Sequence, residues 1–166
     1  RYPSYGKSVA VSNVEIDEVS ENILVSKIYK TGKKEEAYKI GMIGNLNNRI
    51  KGWDIALKAL HLLNQKGINI EFHVLGDGDR TKWIEMAKSF GIDNKIIFHG
   101  VLPGGKPVFQ WLDSIDIYIQ PSFQEGLPRA VIEAMSRGCP VVGSTAGGIP
   151  ELLDKSYLHK PGDYKM

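Results

Sequence analysis

The 166 residues form a chain of ordinary domain size, with 42% hydrophobic and 24% charged residues, as in soluble globular proteins. The formal net charge of +2 is too small to indicate nucleic acid or an anionic membrane surface as a partner. A single cysteine, Cys139, excludes an internal disulfide, and no apolar run approaches the roughly 18 residues of a membrane helix. Because one cysteine fits a reducing compartment, we expect a cytoplasmic location.

Regular secondary structure is predicted from residue 38 onward. Short apolar segments such as "YKIGMIG" predict buried strands, and "KGWDIALKALHLLNQKG" places apolar side chains on one helical face. The predicted strands are 38–44, 68–76, 95–100, 115–121 and 140–144, and the predicted helices are 51–67, 80–91, 107–114, a segment starting at 128, and one or two turns in 148–154. This alternation indicates parallel βαβ units, hence an α/β fold with a Rossmann-like open sheet and helices on both faces.

The first 37 residues carry a weaker pattern. "SVAVSN" (8–13) is a candidate strand, and "TGKKEEA" (31–37) is typical of a solvated loop. The chain begins with Arg1 and has no signal segment, so we expect a piece of a longer protein. We divide it into a leading segment, 1–37, and one Rossmann-like domain, 38–166.

Ligands of open α/β sheets bind beyond the carboxyl ends of the strands, which directs attention to four loops. These loops are 44–51, 76–79, 100–106 and 121–128.

Two of the loops carry incomplete nucleotide-binding motifs. "GVLPGGK" is followed by Pro107, where a phosphate loop needs Ser or Thr, which argues against ATP or GTP hydrolysis. "GDGDRT" lacks the third glycine of a dinucleotide fingerprint, which argues against NAD or FAD. Asp77 and Asp79 have a spacing that could chelate a divalent cation, but a turn followed by a helix N-cap is the favoured interpretation. The four histidines show no metal-ligand spacing.

"QEGLPRAVIEAMSRG" (124–138) places Glu125 before a predicted helix and Glu133 on its flank. The helix N-terminus offers free N–H groups and a positive dipole end to phosphate, and Gly126 lets a ligand approach the backbone. Each carboxylate could then accept hydrogen bonds from a polyol on either side of a diphosphate, as in a nucleotide sugar. Alternatively, Glu125 stabilises the helix start and Glu133 pairs with Arg137. Spacing alone leaves these two interpretations equal.

The longer segment "PSFQEGLPRAVIEAMSRGCPVVGSTAGGIPELL" resembles the signature of retaining glycosyltransferases of family 4. These enzymes have the GT-B fold, in which two Rossmann-like domains face each other across a cleft. The shared pattern is Glu125, seven residues, Glu133, a strand in "GCPVVGS", and "GGIPE" ending at Glu151. "IYIQPS", "FHGVLP" and "IGNLNNRIKGWDIALKA" resemble further parts of the family, so the resemblance covers residues 38–163.

The resemblance implies a role for several side chains. Lys51 would contact the donor diphosphate, Glu125 would be the catalytic residue at the donor sugar, and Glu133 would bind the ribose. This sequence departs from the family at Asn45, since an arginine usually follows the loop glycine there. Arg49 is a candidate replacement, and the alternative is an ordinary exposed loop arginine.

Backbone groups complete the implied donor site. The N–H groups of Gly126 and Leu127 would bind phosphate, and the backbone of Val101 would contact the base. No cofactor and no metal are implied, because the donor is a nucleotide diphosphate sugar held by cations and helix N–H groups.

Taken as a whole, the resemblance implies that residues 38–166 are the nucleotide-sugar-binding, C-terminal half of a transferase. The full enzyme would move a sugar to an acceptor hydroxyl with retention, as in polysaccharide biosynthesis. An N-terminal acceptor domain would lie elsewhere in the same chain and carry any peripheral membrane association. "YLHKPGDYKM" resembles a family turn that a helix follows, so we expect truncation at the C-terminus. A non-catalytic nucleotide-sugar or phosphate-binding module and a sugar-nucleotide epimerase-like domain stay open as alternatives.

Overall fold

The computed structural model describes residues 14–16, 18–30 and 37–165, without the side chains of residues 29 and 30. Six parallel strands form one sheet in the order β3-β2-β1-β4-β5-β6. The strands are β1 (Tyr38–Ile43), β2 (Ile70–Leu75), β3 (Ile96–Phe98), β4 (Ile117–Gln120), β5 (Val141–Ser144) and β6 (Leu158–His159). The helices are α1 (Glu21–Lys30), α2 (Trp53–Gln65), α3 (Thr81–Ser89), α4 (Lys106–Ser114) and α5 (Arg129–Ser136). The predicted Rossmann-like open sheet is therefore confirmed.

Each face of the sheet has its own apolar core, because successive strand residues point to opposite faces. On one face, Met42 and Val74 pack beneath α2 and α3. On the other face, Leu75 packs beneath α4 and α5, and Ile43 lies against the same cluster. Each fully buried side chain of this kind contributes about 1.5–3 kcal/mol, so both helical layers hold the strand ends in place.

The helix boundaries differ from the predicted ones by one or two residues. A 3₁₀ turn, Arg49–Lys51, precedes α2, and Gly52 separates the two with a left-handed φ of 79°. The helix that the sequence places from Pro128 begins at Arg129, with Pro128 as its N-cap. The last predicted helical segment forms a 3₁₀ turn, Ile149–Glu151.

Two elements were not predicted from the sequence. The edge strand β6 has two residues, too few to show a period. Helix α1 lies in the leading segment and is fixed by Lys27, whose Nζ donates to the carbonyls of Leu112 and Ile115 at 2.9 and 2.7 Å. A lysine ammonium is a favourable partner for carbonyls at the C-terminal end of a helix, here α4. The candidate strand 8–13 and residues 31–36 of the predicted loop lie outside the described residues.

None of the helices in the described ranges combines the length and apolar character that a membrane crossing requires.

Candidate functional site

The strand order reverses between β1 and β4, so the loops that follow these two strands leave the sheet on either side of one crevice. The loops touch directly, since the N–H of Phe123 donates to the carbonyl of Ile50 at 2.7 Å. Gly52 permits this approach, because a Cβ atom there would lie 2.1 Å from the Pro121 carbonyl oxygen. The crevice at this switch point is the candidate site.

Lys51 and Glu125 meet across the crevice. The Lys51 Nζ lies 2.8 Å from the Glu125 Oε1, although the two residues are 74 positions apart in the chain. Their side chains are 24% and 9% exposed, so the ion pair is largely shielded from water. The sequence predicted both residues at one site but not that they bind each other.

The Glu125 carboxylate is held by two further donors. The Gln120 Nε2 lies 2.8 Å from Oε1, and the Ser122 Oγ donates to the same oxygen at 2.7 Å. Gln120 in turn accepts from the Tyr118 hydroxyl at 2.8 Å. Tyr118, Gln120 and Ser122 are all buried, and the sequence did not predict them as residues of the site. The available signal was Gln120 itself, since a polar residue that ends an otherwise apolar strand needs buried partners.

The loop between Glu125 and the N-cap of α5, Pro128, carries unused backbone donors. Within the described residues, the N–H groups of Gly126 and Leu127 donate to no acceptor. Nothing lies within 4 Å of a Cβ built on Gly126, so the space beside it is open. These groups have the arrangement expected of an anion site at a helix start.

Two glycines after β5, Gly147 and Gly148, pack against the backbone of the loop that contains Glu125 and Gly126. Gly148 donates its N–H to the Gly126 carbonyl at 2.8 Å. Gly147 has a φ of 56°, and a Cβ there would lie 1.9 Å from the Glu125 carbonyl oxygen. The sequence "GGIPE" therefore allows two backbones to approach closely, a role that a side chain at Gly147 would prevent.

Glu133 lies on α5 with a half-buried carboxylate that accepts no hydrogen bond from the described residues. Burial raises its pKa above the ordinary value, and the nearby Arg129 lowers it in part. The alternative pairing with Arg137 is wrong, because that guanidinium binds Asp113 through two contacts of 2.7 Å. The unpaired carboxylate is thus free to accept hydroxyl donors from a ligand.

The other predicted residues surround this centre without touching Glu125. Asn45 and Arg49 are exposed in the loop after β1, and the Asn45 side chain caps the N–H of Asn47 at 2.8 Å. Among the described residues, Arg49 makes no ion pair. Val101 is 66% exposed in the loop after β3, at the same edge of the sheet.

Asp77 and Asp79 are occupied by local backbone contacts. Asp77 accepts from the N–H of Gly78 at 2.8 Å, and Asp79 accepts from the N–H of Thr81 at 2.9 Å at the start of α3. The Thr81 contacts lower the pKa of Asp79. The predicted turn is present, but the N-cap of α3 is Arg80 and not Asp79, which binds the Thr81 N–H from one position earlier. The described ranges contain no group of three His, Cys, Asp or Glu side chains that could hold a metal ion.

Comparison with known proteins assigns the family. The family model described as "Glycosyl transferases group 1" matches residues 37–165. This chain belongs to the group 1 glycosyltransferases. The region matched contains every element from β1 onward, including the whole crevice.

Curated relatives of this group 1 chain include two bacterial proteins. Protein CapJ of Staphylococcus aureus is 37% identical over 165 residues, covering 98% of this chain and 40% of that protein. The amylovoran biosynthesis glycosyltransferase AmsK of Erwinia amylovora is 34% identical over 123 residues, covering 68% of this chain and 30% of that protein. The chain thus spans about 40% or less of the length of these relatives.

Solved structures share the fold. The C-terminal domain of LpcC, a glycosyl transferase group 1 family protein from Francisella tularensis, has a TM-score of 0.68 at 25% identity, covering 87% of this chain and 77% of that one. Anabaena HepE in complex with UDP-glucose has a TM-score of 0.70 at 23% identity, covering 88% of this chain and 41% of that one. The GT-B type of fold is therefore shared.

Proposed function

We propose that this chain is the donor-binding half of a retaining, family 4 glycosyltransferase that moves a sugar from a nucleotide diphosphate sugar to an acceptor hydroxyl. The observation that carries the proposal is the meeting of Lys51 and Glu125 across the switch point, 2.8 Å apart and beside the open start of α5. A cation, the free N–H groups of the loop before α5 and a carboxylate then lie together, which suits a diphosphate joined to a sugar.

The diphosphate would be bound by positive groups from two loops. Lys51 supplies a charge from the loop after β1, and Arg49 lies exposed two residues before it. The N–H groups of Gly126 and Leu127 supply backbone donors from the other side. Because negative charge grows on the leaving diphosphate during transfer, fixed donors aimed at it stabilise the transition state.

The two glutamates would bind the two sugar rings of the donor. Glu125 lies next to the phosphate-binding groups, so its carboxylate would orient the transferred sugar near the cationic anomeric centre. Glu133, with its unpaired carboxylate, would accept hydrogen bonds from the ribose hydroxyls. The base would contact the backbone of Val101, an exposed residue in the loop after β3. The structure of HepE was solved in complex with UDP-glucose, which makes UDP the first nucleotide to test.

The experiment is a calorimetric titration of the chain with UDP, GDP and ADP and their sugars, repeated on Lys51→Met and on Lys58→Met. Lys58 is a matched control, since it lies on the next helix in an ion pair with Asp54 at 3.2 Å, away from the crevice. A hydrogen bond to a charged group contributes about 1.5–3 kcal/mol, so Lys51→Met should weaken the best nucleotide by about 10- to 150-fold.

Equal affinity in the wild-type chain and Lys51→Met would refute the assignment of the diphosphate site, provided that Lys58→Met also binds normally. A chain that binds none of the three nucleotides would refute the donor-binding function itself. Sugar transfer is tested on the full-length protein that contains this chain, by analysis of the anomeric configuration of the product.

A further inference from the structure

A chain of buried hydrogen bonds runs from the backbone of β1 to the Glu125 carboxylate. The Ile43 N–H lies 3.3 Å from the Tyr118 hydroxyl, which lies 2.8 Å from the Gln120 Oε1. The Gln120 Nε2 lies 2.9 Å from the Ser122 Oγ and 2.8 Å from the Glu125 Oε1. Tyr118, Gln120 and Ser122 are each no more than 1% exposed.

The two ends of this chain fix the direction of every hydrogen bond in it. A backbone N–H can only donate, so the Tyr118 hydroxyl accepts from Ile43 and directs its own proton to the Gln120 Oε1. That contact orients the Gln120 amide with its NH₂ group towards Ser122 and Glu125. The Ser122 proton then points to the Glu125 Oε1 at 2.7 Å, since its other acceptor, the Lys51 carbonyl, is 3.5 Å away.

The Tyr118 hydroxyl keeps its proton throughout. Burial raises its pKa far above the ordinary range, and the charges of Glu125 and Glu133 raise it further. The hydrogen bond from the Ile43 N–H lowers the pKa, more than either glutamate raises it, but does not offset the effect of burial. The amide orientation of Gln120 is therefore constant over the pH range in which the protein is folded.

Lys51 has two competing partners. In the structure, its ammonium group binds Glu125, whereas the proposed function needs it at a diphosphate. A diphosphate carries more negative charge than one carboxylate, so the lysine is drawn towards the ligand. Glu125 would then lose its only cationic neighbour among the described residues while its side chain is just 9% exposed.

We propose that Gln120 and Ser122 are positioning residues that keep the Glu125 carboxylate paired and in place when the diphosphate draws Lys51 away. The inference rests on the proposed function. The hydrogen-bond chain thereby has a role in ligand binding. A buried carboxylate without a partner is strongly destabilised. Because Gln120 and Ser122 still donate to Glu125, they lower the free-energy cost of separating the Lys51–Glu125 pair.

The test is a double-mutant cycle on the affinity of the chain for UDP, GDP or ADP, using the one that binds most tightly. Gln120→Met and Ser122→Ala each remove a donor to Glu125 and should weaken nucleotide binding by about 10- to 150-fold, the range for losing one hydrogen bond to a charged group. In the Glu125→Gln background the carboxylate charge is gone, so the same two substitutions should change affinity by less than about 2-fold. This difference between backgrounds is a coupling between the positions that a structural role alone would not produce.

Ser144→Ala is the matched control. The Ser144 hydroxyl is buried and donates to the backbone carbonyl of Ser122 but does not touch Glu125. It should lower thermal stability about as much as Ser122→Ala and leave nucleotide affinity unchanged.

Three results would overturn the inference. Unchanged affinity in both Gln120→Met and Ser122→Ala would do so, as would equal losses in the wild-type and Glu125→Gln backgrounds, or an equal loss in Ser144→Ala. Each of these outcomes leaves the proposed function standing, because the wild-type chain binds nucleotide in all three. A wild-type chain that binds no nucleotide would overturn the proposed function and this inference together. If Gln120→Met does not fold, Ser122→Ala alone decides the cycle.

Discussion

Glu133 combines partial burial with the absence of a hydrogen-bond donor among the described residues. Its pKa is raised because burial disfavours the charged form, so the folded state holds the proton more tightly than the unfolded chain does. Above the raised pKa, the ionised carboxylate is therefore a cost to folding. A side chain kept at such a cost is one that a ligand can use.

We expect Glu133→Gln to change stability and affinity in opposite directions. The variant should be more stable than the wild-type chain at neutral pH, and this gain should decrease as the pH falls through the raised pKa and be lost below the ordinary carboxyl value of 4.5, where both side chains are neutral. The loss of a charged acceptor for the ribose should weaken nucleotide binding by about 10-fold or more. Urea denaturation at several pH values and calorimetry measure the two effects.

The exposed Glu85 on α3 provides the control, since Glu85→Gln should alter neither quantity. A Glu133→Gln variant that is less stable at neutral pH, with normal nucleotide affinity, would mean that the carboxylate is structural.

The sequence predicted individual residues of the site more fully than their contacts. Lys51, Glu125 and Glu133 follow from motif resemblance and from the position of a helix start. Their pairing does not, because the contact between Lys51 and Glu125 joins loops 74 positions apart, and no local period records it. Gln120 was visible as a polar residue at the end of an apolar strand, and its partners Ser122 and Glu125 lie within five positions of it, but the turn that brings these side chains together follows no periodic pattern.

At the scale of elements, β2 and β3 are joined by a histidine pair beyond their backbone hydrogen bonds. The Glu71 carboxylate can only accept, so the His73 Nε2 donates to it at 3.1 Å, and the His73 Nδ1 shares one proton with the His99 Nε2 at 2.9 Å. The edge of His99 also packs against Trp111 of α4. The contact between the two ring nitrogens needs one donor and one acceptor, so it cannot persist when both rings carry a proton on each nitrogen.

Acidification should weaken this junction. Burial first, and the neighbouring His73 second, lower the pKa of His99, so the unfolded chain takes up its proton at a higher pH than the folded one. The contribution of His99 to the free energy of unfolding is complete above the ordinary histidine pKa of about 6.5 and is lost as the pH falls below it. Because solvent screens an exposed ring, the free energy of unfolding should change by well under about 1.4 kcal/mol per pH unit. His99→Gln keeps an N–H donor for His73 and should reduce the slope. Urea denaturation between pH 7.5 and 5.5 measures it.

His61→Gln is the control for this effect, because His61 contacts Phe90 and lies apart from the pair. An unchanged pH slope in His99→Gln would show that other groups control acid stability.

Elements with a clear period were predicted within two residues, whereas α1 and β6 were missed. The helices α2 to α5 each bury one apolar stripe, which is the signal that periodicity detects. Helix α1 leaves Val25 and Ile28 exposed and is fixed by the polar contacts of Lys27, so its hydrophobic pattern does not match its packing. Contacts of this kind depend on the assembled domain.

At the scale of the whole molecule, the strand order brings cations and helix donors to one edge of the sheet. The loops that follow β1 and β4 meet at the switch point. The loop after β5 packs against the loop after β4 through Gly147 and Gly148. The order of the elements predicted this edge as the ligand site, since all parallel strands end there. The net charge of +2 did not predict an anion site at this edge. It sums the charges of the whole chain, and the crevice contains only a few of them.

Nucleotide binding by the chain should be weak and independent of divalent metal. Lys51, Arg49 and the N–H groups at the start of α5 offer the diphosphate its positive partners, while Asp77 and Asp79 are held by backbone N–H groups of their own loop. With one wall of the proposed cleft supplied by this chain, we expect dissociation constants of roughly micromolar to millimolar, about 4 to 8 kcal/mol. Titration of the best nucleotide with and without EDTA should give affinities that agree within about 2-fold, and Asp77→Asn with Asp79→Asn should bind as the wild type does. If EDTA abolishes binding and the double variant loses it too, the diphosphate is held through a metal at those aspartates and the cationic site proposed at Lys51 is secondary.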